Sequence, residues 1–242
     1  MHDPARILAF DSSSDHSVVG VVAGSRVLSC LVSSTPGAPS EGLLPMIHGC
    51  LGSAGLALED IDALVTGRGP GSFTGTRMAV STAKGLALGS GKPLLGVSSV
   101  EAAALDTGWT LGPVVVALDA RRSEILLAAY ALDGGLPRAL FGPVLLGPGA
   151  ARQRLSTLPA GRRILVVGDG AAACAGEMAD LEADIAPPGR PLVSSPLALS
   201  ALAGPRIGCG EADDPDSLEP VYSRPPPVHV KAPSIDKPGS II

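Results

Sequence analysis

Gly67-Arg68-Gly69-Pro70-Gly71-Ser72-Phe73-Thr74-Gly75-Thr76-Arg77, or GRGPGSFTGTR, is the stretch on which the fold turns. The apolar segment Ala63-Leu64-Val65-Thr66 runs into it, and a run of small residues beginning at Met78 leaves it. That context predicts strand, tight glycine loop, helix. The glycines reach backbone angles that a Cβ disfavours, and Pro70 fixes one φ among them. Ser72 or Thr74 is placed to cap the helix by accepting from its free N–H groups. Such a loop either cradles an anion or seats a helix very close to a sheet.

The following residues argue for the seat. No Lys-Ser or Lys-Thr stands at Walker A spacing, so the lysine that would reach a β- or γ-phosphate is missing. Lys84 comes two turns or more into the helix. Ser72 breaks the GxGxxG spacing, and no acidic residue is placed for a ribose. The expected role of Gly67, Gly69, Pro70, Gly71, Ser72, Thr74 and Gly75 is therefore structural: they launch the Met78 helix tightly off the sheet. Gly168-Asp169-Gly170, behind a later strand, is expected to cap that strand.

Working outward, Arg6 to Phe10 is an apolar run ending at Asp11, followed by the turn-forming Ser12-Ser13-Ser14. Ser17 to Ala23 and Arg26 to Val32, joined by Gly24-Ser25, form a hairpin pattern. Leu43, Met46, Ile47, Cys50, Leu51 and Ala54 have helical spacing, with Ser40 placed as an N-cap. Beyond the glycine loop come a helix from about Thr76 to Leu88, a strand at Leu94 to Val97, and a helix capped by Ser99 that runs to about Leu105. Glu101 in its first turn complements the helix dipole.

The pattern then restarts. Pro113 to Leu118 ends at Asp119, Glu124 to Ala131 and Arg138 to Leu146 flank a Gly134-Gly135 turn, and a helix is expected at Ala150 to Leu158. Arg163 to Val167 leads through the second glycine motif to a helix over Ala171 to Leu181. Both halves read strand-Asp, hairpin, helix, strand, helix. A duplicated α/β unit with mixed sheets follows. The divisions are 1–110 for the first lobe, 111–218 for the second, including a helix at Ser195 to Ala203, and a flexible proline-rich segment at 219–242.

Composition bounds the function. The chain has 242 residues, enough for a sizeable core, with 45% apolar but only 2% aromatic residues. Alanine, valine, leucine and isoleucine must build that core. The net charge of −5, without a Lys/Arg cluster, makes direct RNA binding unfavourable. Cys30, Cys50, Cys174 and Cys209 form no CxxC pair, and His2, His16, His48 and His229 form no HxxxH or HExxH pair. No metal site and no Ser/His/Asp or Cys/His set is expected. Four reduced thiols, no signal peptide and no run of membrane-spanning length point to the cytoplasm.

Two features allow sharper chemistry. Asp11, Ser12 and Ser13 at the first strand end, with Asp119 at the matching place of the second half, outline a two-sided nucleotide cleft. A turn explains the first loop equally well, and Ala120-Arg121-Arg122 makes a poor second phosphate loop, so the cleft is expected to be vestigial. The helix from Met78 is rich in small residues, which lets another helix approach closely. It packs on its own sheet, or it offers a face to a partner. The helix at Leu43 would add an apolar patch, and the pair could form half of an intermolecular four-helix bundle.

ILAFDSSS at Ile7, LLPMI at Leu43, GRGPGSFTGTR at Gly67, AKGLALG at Ala83, GVSSVEA at Gly96, ALDARRSEI at Ala117 and EPVYSR at Glu219 occur in an order that closely resembles the bacterial TsaB family, formerly YeaZ. The resemblance covers the chain to about Arg224. It implies the duplicated RNase-H-like fold shared by actin, sugar kinases and Hsp-type chaperones. It also implies a part in making N6-threonylcarbamoyladenosine next to the anticodon of tRNAs reading ANN codons. In that machinery a synthase makes threonylcarbamoyl-AMP, and the paralogue TsaD transfers the group with a metal held by a histidine pair. TsaB is a non-catalytic platform that binds TsaD through the two helices, and the ATPase TsaE joins them. Leu43, Leu44, Met46, Ile47, Cys50, Leu51, Arg77, Met78, Ser81, Thr82 and Gly85 are the interface residues so implied. They are expected to serve a homodimer when the chain is alone, and charge at Ile47 or Met78 is expected to break binding without unfolding. No cofactor is required, although weak Mg-ATP or Mg-ADP binding is compatible with the cleft. tRNA is reached only through the complex. One departure is Pro39-Ser40, where many relatives carry a His-Thr or His-Ser pair. The rival from another class is an autonomous phosphotransferase of the same fold using Asp11 and Asp119 around a metal; a peptidase is a third.

Overall fold

Apolar runs bounded by glycine and aspartate turns become strands. The computed structural model describes residues 4–34, 42–121, 123–147, 149–159, 161–174, 183–185 and 192–223. Strands β1 (Arg6–Asp11), β2 (Ser17–Ala23) and β3 (Arg26–Ser33) are followed by helix α1 (Leu43–Ser53). Then come β4 (Ala63–Gly67), α2 (Phe73–Ser90), β5 (Leu94–Val97) and α3 (Ser99–Leu105). The second set is β6 (Val114–Asp119), β7 (Ile125–Ala131), β8 (Arg138–Leu146), α4 (Ala150–Leu155), β9 (Ile164–Val167), α5 (Ala171–Cys174) and β10 (Ala183–Ile185). Helix α6 (Pro196–Gly208) closes the series.

The first sheet has the order β3-β2-β1-β4-β5 and the second β8-β7-β6-β9-β10. β1 is antiparallel to β2 and parallel to β4; β6 repeats this with β7 and β9. The two halves are thus the same mixed RNase-H-like sheet, the duplicated α/β architecture that the sequence predicts.

Helices α1 and α2 cover one face of the first sheet, over Leu8, Phe10, Val19, Val21 and Leu64. The buried side of α2 is Gly75, Thr76, Ala79, Val80, Ala83 and Ala87, so the helix lies close to the sheet. Helix α3 joins the lobes. Its Ala102 packs with Ala9, Val65 and Leu95 of the first sheet, while Val100 and Ala104 pack with Val114, Val116 and Tyr130 of the second.

Several boundaries differ from expectation for local reasons. Helix α2 begins at Phe73 rather than Thr76, because Ser72 is the cap and its Oγ accepts from Gly75 N at 3.3 Å. Ser98, not Ser99, caps α3, accepting from Glu101 N at 3.3 Å. Helix α4 ends at Leu155, where the Ser156 and Thr157 hydroxyls bond back to Gln153 O and Arg154 O. Gly42 is the N-cap of α1 with no side-chain bond; Pro39 and Ser40 lie outside the described residues, as does the end of the helix expected to reach Leu181.

Helix α6 falls by sequence in the second lobe, 111–218, but packs on the first. Its Ala198, Leu199 and Ala203 join Ile7, Ala9, Val65 and Leu95. Gly20 makes room for it, since a Cβ there would lie 2.4 Å from Pro196 Cγ. Of the segment expected to be flexible from 219, residues 219–223 are described and are tied to the first lobe, where Val221 N donates to Arg68 O at 2.7 Å. Residues 224–242 lie outside the described residues.

Candidate functional site

The glycine loop is pressed onto the end of β1. A Cβ on Gly71 would lie 2.1 Å from Ser13 O, and one on Gly75 would lie 1.8 Å from Ser12 O. Several loop amides are taken up by the protein itself. Arg68 N donates to Val97 O, Ser72 N to Ser13 O at 2.6 Å and Thr76 N to Ser72 O. Gly69 N donates to Ser99 Oγ at 2.9 Å. These distances are those of a helix seat. The second half repeats the construction: a Cβ on Gly168 would lie 2.1 Å from Ala117 O, and Gly170 N donates to the same carbonyl at 3.0 Å. Asp169 accepts from Asp119 N at 2.9 Å, capping the strand end.

Between the lobes lies a cleft of about 730 Å³, walled by Ser13, Ser72 and Phe73 on one side and Asp119, Gly168 and Asp169 on the other. Of the residues expected there, Ser13 and Asp119 line it; Asp11 and Ser12 are buried beneath it. Asp11 Oδ1 accepts from Ser13 N at 2.7 Å and Oδ2 from Ser13 Oγ at 3.1 Å. Burial pushes its pKa up, against the lowering hydrogen bonds of Ser99, Ser13 and Ser194. Gly67 must be glycine because a Cβ there would sit 2.3 Å from Asp11 Cγ. Ser12 Oγ donates to Gly75 O at 2.7 Å.

Burial, then the neighbouring Asp119 and Asp15 charges, raise the Asp169 pKa. Among the described residues no three His, Cys, Asp or Glu side chains cluster as a metal-ion site. Spacing alone does not single out Ser194, whose Oγ donates to Ser99 O at 2.9 Å, or Asp106, which accepts from Ser195 N and Oγ. The only available sign was a serine pair before a helix.

The helix faces sort the expected interface residues into two sets. Leu43, Ile47, Cys50 and Leu51 are buried in the chain's own core. In this chain they are covered, because the apolar stripe of α1 is the stripe that packs on the sheet. Met46 and Met78 are half-buried against that core. Leu44, Arg77, Ser81 and Gly85 are exposed, and Thr82 is intermediate. Leu88, at 65% exposure, and Phe73, at 46%, extend the open face and were not anticipated. Their signal was spacing, since 77, 81, 85 and 88 fall on one side of α2.

The family model "TsaD: tRNA N6-adenosine threonylcarbamoyltransferase" matches residues 38–164. The tRNA threonylcarbamoyladenosine biosynthesis protein TsaB of Escherichia coli K12 is 35% identical over 156 residues, 63% of this chain and 67% of that protein. The solved YeaZ from Pseudomonas aeruginosa is 29% identical with a TM-score of 0.74, covering 90% of this chain and 99% of that one. The chain belongs to the TsaB (YeaZ) family. The fold reaches beyond it: the ethanolamine utilization protein EutJ from Carboxydothermus hydrogenoformans has a TM-score of 0.51 at 15% identity, covering 82% of this chain and 90% of that one. In this TsaB-family chain the family's glycine run closes onto the polypeptide, and the helix it launches faces outward. Among the described residues no helix is long and apolar enough to cross a membrane.

Proposed function

We propose that this chain is a non-catalytic partner subunit in N6-threonylcarbamoylation of tRNA, at the adenosine next to the anticodon. It works in the cytoplasm, where it binds and stabilises a TsaD-type transferase, with the ATPase TsaE as a further member. The name of the Escherichia coli relative supports the pathway, and the matching family model supports a link to TsaD. The observation that carries the platform role is the closed loop with an open helix behind it. The backbone of Ser12 and Ser13 packs against Gly71 and Gly75 too closely to admit even a Cβ, while Leu44, Arg77, Ser81, Gly85 and Leu88 stand on the outer side of α1 and α2. A net charge of −5 favours tRNA contact through partners rather than directly. The same face supports a homodimer when the chain is alone.

An autonomous ATPase of this fold would need groups free to meet Mg-ATP. Here both Asp11 oxygens are engaged inside the protein, which counts against that reading. No cofactor is required in this proposal, and weak Mg-ATP or Mg-ADP binding is compatible with it. The test is a titration of TsaD with the folded chain and with Leu88→Glu, alongside calorimetry with Mg-ATP. Tight TsaD binding that Leu88→Glu weakens, with weak or no nucleotide binding, supports the platform. Tight nucleotide binding with turnover supports the ATPase.

A further inference from the structure

Between the end of α6 and residue 223 the chain forms no helix or strand, yet Glu211–Ser223 is fastened along the first lobe. β5 is the last strand of its sheet. Its outer edge is met by Asp213, whose N–H donates to Leu94 O at 2.7 Å and whose Oδ2 accepts from Gly96 N at 2.8 Å. Arg206 grips the same carboxylate through Nη2 at 2.6 Å and Nη1 at 3.2 Å. Leu218 is buried over Gly96, where a Cβ would lie 2.7 Å from Leu218 Cδ1.

The segment then turns to α2. Lys84 Nζ donates to Asp216 O at 3.2 Å and Leu218 O at 3.3 Å. Val221 N donates to Arg68 O at 2.7 Å. The Tyr222 and Phe73 ring centroids are 5.0 Å apart, and the Arg77 guanidinium lies 4.7 Å from the Phe73 centroid. The segment thus holds α2 near its start, at Phe73, and again in its middle, at Lys84. Helix α2 needs such a hold. Its fully buried residues are all small, Val80 being the largest, and hydrophobic attachment scales with the apolar area buried.

We propose that Glu211–Ser223 is a strap that fixes the position of α2 and seals the β5 edge. Loosening it frees both elements while the second lobe stays folded. A freed edge strand offers unpaired N–H and C=O groups for pairing with another chain. A freed α2 is less preorganised for a partner; that consequence rests on reading α2 as the interface, whereas the strap itself does not.

Hydrogen exchange by mass spectrometry on the full chain reads the strap directly, because sub-global openings exchange separately from global unfolding. In Asp213→Ala, α2 and β5 amides are expected to exchange about tenfold faster or more, with β6, β7 and β9 unchanged. Tyr222→Ala, which removes only the ring contact, gives the same pattern on a smaller scale and serves as the test should Asp213→Ala fail to fold. Unchanged α2 exchange in Tyr222→Ala, or equal acceleration in both lobes, overturns the strap. Selective acceleration with unaltered TsaD affinity supports the strap and counts against the interface.

Discussion

At Asp11 an acid of the type that could orient a metal is held inside the protein instead. Its oxygens accept from Ser13, and burial raises its pKa above the usual 3.8. A raised carboxyl pKa means that the folded state holds its proton longer than the unfolded state. Stability from this group is therefore full below pH 3.8 and falls as pH rises through the folded value. Asp11→Asn should gain stability relative to the native chain on going from acid to neutral pH, as measured by urea unfolding at a series of pH values; a constant difference would refute this. Ile47 and Leu88 make a second pair. Ile47 is 4% exposed, so Ile47→Glu should cost about 3 kcal/mol or more by burying a charge. Leu88→Glu should change stability by only about 0.5 kcal/mol yet weaken TsaD binding roughly tenfold or more. Comparing denaturation midpoints with binding isotherms separates the two. Helical spacing made both helices legible, but spacing names a stripe and not its direction. Hence Leu43, Ile47, Cys50 and Leu51 read as an outer patch while the fold turns them inward.

Two of the three glycines in helix α2, Gly75 and Gly85, have opposite requirements. Gly75 faces Ser12 O at a separation no Cβ tolerates, whereas Gly85 has nothing within 4 Å. Gly75→Ala should cost about 1–3 kcal/mol through forced backbone movement. Gly85→Ala should gain about 1 kcal/mol in helix propensity while weakening a close-packed partner. Thermal unfolding and TsaD titration on the same samples check whether stability and affinity move in opposite directions. The elements around α2 were readable where periodicity and turn residues agreed, as in the β2–β3 hairpin and the run into β4. The start of α2 was harder, because glycine at its third position argues against a helix unless Ser12 is known to press on it. The strap was not readable as structure. Glu211 to Ser223 is polar and proline-bearing, and a single buried leucine, Leu218, anchors it. β10 spans only Ala183–Ile185, too short for any pattern.

Across the whole molecule, two sheets of identical strand order are joined by α3 and by the return of α6 to the first lobe. The repeat was legible because each half places an aspartate at the end of its first strand and a glycine motif after its parallel partner. The return of α6 was not, because only the finished sheet shows the face that Gly20 leaves open. In the proposed platform role the outward side of α2 is the working surface, and the inter-lobe cleft, with Asp119 on its wall, is not. Reconstitution with TsaD, TsaE and the threonylcarbamoyl-AMP synthase, scoring modified tRNA, tests this most directly. Modification should require this chain, persist with Asp119→Ala, and fail with Leu88→Glu. Modification that is lost with Asp119→Ala but unaffected by Leu88→Glu, or that proceeds without the chain, would contradict the platform role.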